Sequence, residues 1–198
     1  MKFRKSQKKM TSRLLTRAPR TDFPAGLPPS FYEPLWYAAY ICSHHEKRVA
    51  EQLVGRSVEH FLPLYSAVRR WKDRRVELQL PLFPGYVFVR LALCDRLNVL
   101  QVPGVAHLVS FGKMPAPLQQ KEINVLINSM RSGLHAEPHP YLTEGRRVRV
   151  TSGSLAGLEG ILLRRKNRAR FVISLDLVRR SVAVEIDPAV LEPLHSKS

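Results

Sequence analysis

The chain has 198 residues, 44% of them hydrophobic, and 32 lysines and arginines against 16 acidic residues, a formal net charge of +16. This apolar content supports a real core and excludes disorder throughout, and the length suits one or two domains. The charge favours an anionic partner such as nucleic acid, an acidic protein surface or anionic lipid, while the absence of any apolar run near the roughly 18 residues that span a bilayer argues against membrane residence.

Residues 1–20 hold Lys2, Arg4, Lys5, Lys8, Lys9, Arg13, Arg17 and Arg20 and no acid. This segment is expected to be a solvated, disordered tail, with a nonspecific phosphate-binding arm as the alternative. It has no apolar stretch of the secretory kind. Residues 21–34 carry five prolines or glycines and read as an extended lead-in. Cys42 and Cys94 lie far apart without CxxC or CxxH spacing, so they read as two reduced, buried thiols of a cytoplasmic protein.

Order is expected to begin with a strand over Trp36–Cys42. Ser43, with Glu46 three residues on, matches the spacing of a capping box, and Val49 and Leu53 share one face of the helix that follows. Val58–Val68 reads as a strand interrupted at Pro63. Arg69-Arg70-Trp71-Lys72-Asp73-Arg74-Arg75 then forms the tip of a hairpin whose second strand alternates Val76, Leu78 and Leu80. Five of those seven tip residues are cationic and one is tryptophan. Arginine forks grip phosphates and aromatic rings stack on bases, so the tip suits nucleic acid, although a solvated tip with Trp71 as a lid fits equally well.

The hairpin leads into Leu80-Pro81-Leu82-Phe83-Pro84-Gly85-Tyr86-Val87-Phe88-Val89. Pro84-Gly85 breaks this strand at an edge or bulge. Phe83 and Tyr86 flank the kink. By composition they read as core rings, and the sharper alternative is a surface presented to a partner. Residues 94–101 read as a short helix using Leu97 and Leu100, Val105–Phe111 as a strand, and Ile123, Leu126, Ile127 and Met130 as the buried stripe of a further helix. The sum is an α+β domain over 35–131, an α/β sandwich with a mixed, mainly antiparallel sheet.

Residues 132–143, with Gly133, Pro138 and Pro140, read as a linker. His135 and His139 lack further ligands nearby, so no metal is expected there. From 144 to 195, short β-branched runs alternate with glycine turns, the pattern of a small, strongly bent SH3-like β-barrel. Its core is expected from Val148, Val150, Ile161, Leu163, Val172, Ile173, Val182, Val184 and Ile186. Its basic loop Arg164–Arg170 reads either as a contact for RNA or acidic protein or as solvated surface.

The order Trp36-Tyr37, His45-Glu46-Lys47-Arg48-Val49, Phe83-Pro84-Gly85-Tyr86-Val87 and Val102-Pro103-Gly104-Val105 resembles the amino-terminal domain of NusG-family transcription factors. Residues 145–193, with Gly153, Gly157 and Gly160, are similar to the KOW domain that follows it. Val58–Tyr65, Leu80–Leu91, Leu155–Arg165 and Arg180–Asp187 are most similar to UpxY-type antiterminators.

The resemblance implies a monomeric elongation factor, without catalysis or cofactor, that suppresses pausing. Its RNA polymerase surface, for the clamp coiled coil of the largest subunit, would include Phe83, Tyr86 and Tyr37, and Phe83→Ala should abolish binding with the fold intact. Arg48, Arg69, Arg70, Lys72, Arg74 and Arg75 would face upstream or non-template DNA. Leu177 and Val178 would meet Rho or a small-subunit ribosomal protein, although Arg179 replaces a common glycine and the Arg164–Arg170 loop is unusually basic. A ribosome-associated KOW protein that binds RNA is the alternative. A nuclease using His44, His45 and Asp73 lacks the paired carboxylates such chemistry needs.

Overall fold

The computed structural model describes residues 31–71, 74–133, 136–139, 145–165 and 168–194. The basic tail, Lys72, Asp73, His135 and Lys166-Asn167 lie outside the described residues.

The first sheet has the order β2–β5–β1–β6, built from β1 (Leu35–Ile41), β2 (Glu59–Phe61), β5 (Tyr86–Leu91) and β6 (Val105–Leu108). Helix α1 (Glu46–Gly55) connects β1 to β2, and β5 runs between those two strands. Every described pairing in it is antiparallel, in keeping with the mainly antiparallel sheet expected. Insertion of β5 keeps β1 and β2 from pairing directly, the split β-α-β arrangement.

Strand alternation divides the core in two. Tyr37, Ala39, Ile41, Val87 and Val89 face α1, where Val49 and Leu53 meet them together with Val99 and Val102. Trp36, Ala38 and Phe88 face the other way, against Leu82, Phe83 and the Ile123 and Leu126 side chains of α3 (Gln120–Arg131).

Strands β3 (Leu64–Trp71) and β4 (Arg74–Pro81) form the expected hairpin as a separate two-stranded sheet. Eight residues each, they extend roughly 26 Å. Helix α2 is confined to Leu97–Leu100 and buries Val99, whereas Leu97 is 56% exposed. Of the expected pair Leu97 therefore points outward, while Leu100 stays half-buried against the α1-side core. Cys42 and Cys94, expected to be buried, are both exposed because they lie just past the end of β1 and in the turn before α2. Strands β7 (Ser110–Phe111) and β8 (Met114–Pro115) make a small hairpin, and β9 (Pro117–Leu118) pairs with the start of β1.

The second domain is a six-stranded antiparallel sheet in the order β10–β14–β13–β12–β11–β15. Its members are β10 (Ala136–His139), β11 (Arg146–Val150), β12 (Glu159–Arg165), β13 (Arg168–Leu175), β14 (Arg180–Glu185) and β15 (Leu191–Pro193). Part of the segment read as linker is thus a strand, with Ala136 opposite Val184 and Pro138 opposite Val182. Proline is tolerated there because β10 is the edge of the sheet and needs donors on one side only.

The expected barrel core also divides. Val148, Val150, Ile173, Val182 and Val184 join Phe171, Leu175 and Val178 inside, whereas Ile161, Leu163 and Val172 pack with Ala183 in a separate cluster. Neighbouring strand residues point to opposite faces, so one apolar run serves two surfaces. Gly160 lies so close to the interior that an added Cβ would stand 2.5 Å from the Val172 carbonyl oxygen and 2.6 Å from the Phe171 ring.

Candidate partner-binding face

Phe83-Pro84-Gly85-Tyr86 closes into a turn, with the Tyr86 N–H donating to the Phe83 carbonyl at 3.1 Å. Proline in the second position and Gly85 at φ +85° in the third are the marks of a type II turn, in which the third residue needs positive φ. Both Gly85 backbone groups are held. Its carbonyl accepts from the Ile41 N–H at 2.8 Å, and its N–H donates to Glu46 Oε1 at 2.9 Å. The capping box expected from Ser43 and Glu46 does not form. His45 takes the N-cap position without a side-chain bond to the helix, and Glu46 reaches across to the turn.

The rings of this region separate into three settings. Phe83 is 1% exposed and stands edge-on to Phe88 at 5.3 Å between centroids. Tyr86 is half-buried and packs edge-on against Tyr40 at 5.5 Å, and Tyr40 in turn lies 5.2 Å from the His107 ring. Tyr86, Tyr40 and His107 are direct cross-strand partners, so they form a row across β5, β1 and β6. Tyr40 is 41% exposed. Sequence reasoning missed it. The available signal was its even spacing from Trp36, which places it on the Tyr86 face once the β1–β5 register is known.

Tyr37 is buried on the opposite side of the sheet, in the α1 core, where burial raises its phenol pKa above the ordinary value. The structure therefore places Phe83 and Tyr86 at the two ends of one turn but does not bring Tyr37 to them. One residue of offset along β1 accounts for this, because odd positions face α1.

Arg48 is exposed on α1, and Arg69, Arg70, Arg74 and Arg75 are exposed on the hairpin, with Arg70 directly opposite Arg75. Arg75 is six residues from Pro81, about 20 Å along the strand, so the hairpin arginines stand well away from the turn. On the second domain, Asp176–Val178 forms a 3-10 turn that ends at Arg179 in the left-handed region, φ +51°. Glycine would adopt this backbone conformation without strain. Val178 is buried and Leu177 half-buried.

These last two side chains belong to, or pack against, the same apolar cluster as Phe83. Interior residues of the second domain continue without a break into the α3-facing core of the first. Charges agree with this closeness: Glu122 on α3 has its pKa raised by burial, with Asp176 adding repulsion, and Lys121 contributes to lowering that of Glu159, whose main partner is Arg149. Among the described residues no helix is long and apolar enough to cross a membrane, and no group of three His, Cys, Asp or Glu could hold a metal ion.

Residues 34–127, which carry the turn, α1 and the hairpin, match the family model NusG, transcription termination factor nusG. This stretch of the chain is similar to the NusG family. It is 27% identical over 167 residues to the transcription termination/antitermination protein NusG of Buchnera aphidicola, spanning 77% of this chain and 92% of that protein. The NusG of Escherichia coli strain CFT073 is 27% identical over 174 residues, 79% and 94% of the two chains. A solved structure described as domain interaction in Thermotoga maritima NusG shares the fold, with a TM-score of 0.53 and 21% identity over 83% of this chain and 99% of that one. The α+β domain followed by a small β domain is thus the NusG architecture.

Proposed function

We propose that this NusG-like chain is a transcription elongation factor that binds RNA polymerase and suppresses pausing and termination, as a specialised antiterminator of the UpxY type. The observation that carries the reading is the Phe83–Tyr86 turn, built with both Gly85 backbone groups tied down, inside a NusG-like domain. Phe83 and Tyr86 are the rings offered to the clamp coiled coil, Tyr40 extends their row, and Tyr37 supports the sheet from behind. Phe83 is buried in an apolar cluster that also takes in residues of the second domain, so on this reading polymerase binding requires the ring to be uncovered. The hairpin arginines stand apart from the turn and Arg48 lies on the helix bonded to it; these cations, together with Lys72 of the sequence, are the ones that meet upstream or non-template DNA. Leu177 and Val178 serve Rho or a small-subunit ribosomal protein once uncovered.

Transcription by purified bacterial RNA polymerase on a template with a strong pause site tests this. Added protein should shorten the pause and co-elute with the polymerase. An unchanged pause without co-elution refutes it. Nascent-transcript mapping in a deletion strain then separates a specialist, with changes in one operon, from a general factor.

A further inference from the structure

We propose that Glu46 is a positioning residue that selects the shape of the Phe83–Tyr86 turn and so sets where its rings stand. The proposal rests on reading that turn as the polymerase-facing element. A Pro-Gly corner has two accessible forms. Type II and type I turns differ by a flip of the peptide joining the two corner residues, which reverses the directions of the Pro84 carbonyl and the Gly85 N–H. Pro84 has no N–H, so Gly85 supplies the only donor at the corner. In the structure that donor meets Glu46 Oε1 at 2.9 Å.

The setting makes this bond decisive. Glu46 is 6% exposed and is the only buried carboxylate among the described residues. A flipped peptide would leave a buried carboxylate and a partly buried amide without each other, an expensive arrangement away from water. The Gly85 carbonyl is already fixed by the Ile41 N–H, and the Tyr40 ring sits 3.5 Å from where a Gly85 Cβ would be. The turn is therefore held from β1 on one side and α1 on the other, and Tyr86 is delivered edge-on to Tyr40.

The helix forgoes something for this. Glu46 stands at the right spacing from Ser43 for a capping box, yet the start of α1 has no side-chain cap. Its carboxylate serves the turn instead. Since α1 also carries Arg48, the same bond locks the helix that displays a cation to the turn that displays the rings.

The test uses the full chain with Glu46→Ala, Glu46→Gln and Glu46→Asp. Purified bacterial core RNA polymerase is the binding probe, and hydrogen exchange at the Gly85 amide is the second readout. Glutamine keeps an oxygen acceptor at the same reach and should bind polymerase within twofold of the parent. Alanine removes the acceptor and aspartate withdraws it by one methylene. Both should bind at least tenfold more weakly and exchange the Gly85 amide at least tenfold faster. Polymerase binding by Glu46→Ala and Glu46→Asp equal to that of the parent overturns the proposal, as does unchanged Gly85 exchange. If the alanine variant does not fold, the aspartate variant decides. If the parent chain itself does not bind polymerase, the polymerase reading fails, and Gly85 exchange alone decides the positioning role.

Discussion

Replacing Phe83 by alanine puts the two roles of this ring in direct competition. Read from the sequence, the substitution should abolish polymerase binding with the fold intact. The structure assigns it a core cost. Phe83 is 1% exposed, lies in the main apolar cluster and stacks edge-on to Phe88 at 5.3 Å. Truncating a buried phenylalanine removes its transfer energy and leaves a cavity, together about 3–5 kcal/mol. The lost edge-to-face pair with Phe88 accounts for about 0.5–1.5 kcal/mol within that range. For a chain of this size each kcal/mol shifts Tm by about 2–4 °C, so the variant should melt roughly 6–20 °C below the parent. Circular dichroism melts at matched concentration measure this, with urea unfolding as a second route to the same free energy. A Tm within 2 °C of the parent would refute the burial argument and return Phe83 to the surface. Tyr86→Ala is the cleaner probe of binding. Its ring is half-buried, so it should lose polymerase affinity by about thirtyfold, the roughly 2 kcal/mol of an aromatic anchor, with a smaller loss of stability.

Changing Arg69, Arg70, Arg74 and Arg75 together to alanine should leave Tm nearly unchanged, because all four are exposed. It should also flatten the dependence of log affinity for duplex DNA on log salt by up to about 4, measured by fluorescence anisotropy; an unchanged slope removes the hairpin from the DNA interface. Gly160→Ala should destabilise the second domain by about 1–3 kcal/mol in urea unfolding, since its Cβ would meet the Val172 carbonyl and the Phe171 ring. Wild-type stability would mean that β12 and β13 are not packed as described. Glu122 has a raised pKa in the folded chain, first from burial and then from Asp176, so the folded state holds its proton more tightly than the unfolded state. Stability from this group is therefore full below the ordinary glutamate range and is lost as pH rises through the folded value. Glu122→Gln should remove that decline and raise the urea midpoint at pH 7. A midpoint unchanged between the two proteins at pH 7 would count against the burial of Glu122.

Much of the fold was legible because its signals are local. Alternation marked the hairpin, the 3.6-residue spacing of Ile123 and Leu126 marked α3, and β-branched runs between glycines marked the second domain. The failures share one cause, which is that a residue's partner can be distant in sequence. Glu46 had the spacing of a cap but found the Gly85 amide 39 residues away. Residues 136–139 look like linker because Pro138 is a poor strand former, and only an edge position beside β14 admits them. Tyr37 and Tyr86 are both aromatic, and only the β1–β5 register shows that they face opposite sides.

By itself the sequence determined the resemblance to NusG, the order of an α+β part before a small β part, the basic hairpin and the Phe-Pro-Gly-Tyr turn, since each depends on residue type and short spacing. The tertiary structure alone decided which rings are available. Phe83 is enclosed in a cluster continuous with the second domain, Tyr40 and Tyr86 line an open row, and Tyr37 is turned to the far core. Accessibility is a property of what packs against a side chain, and strand register and domain contact set it over distances that no local pattern records.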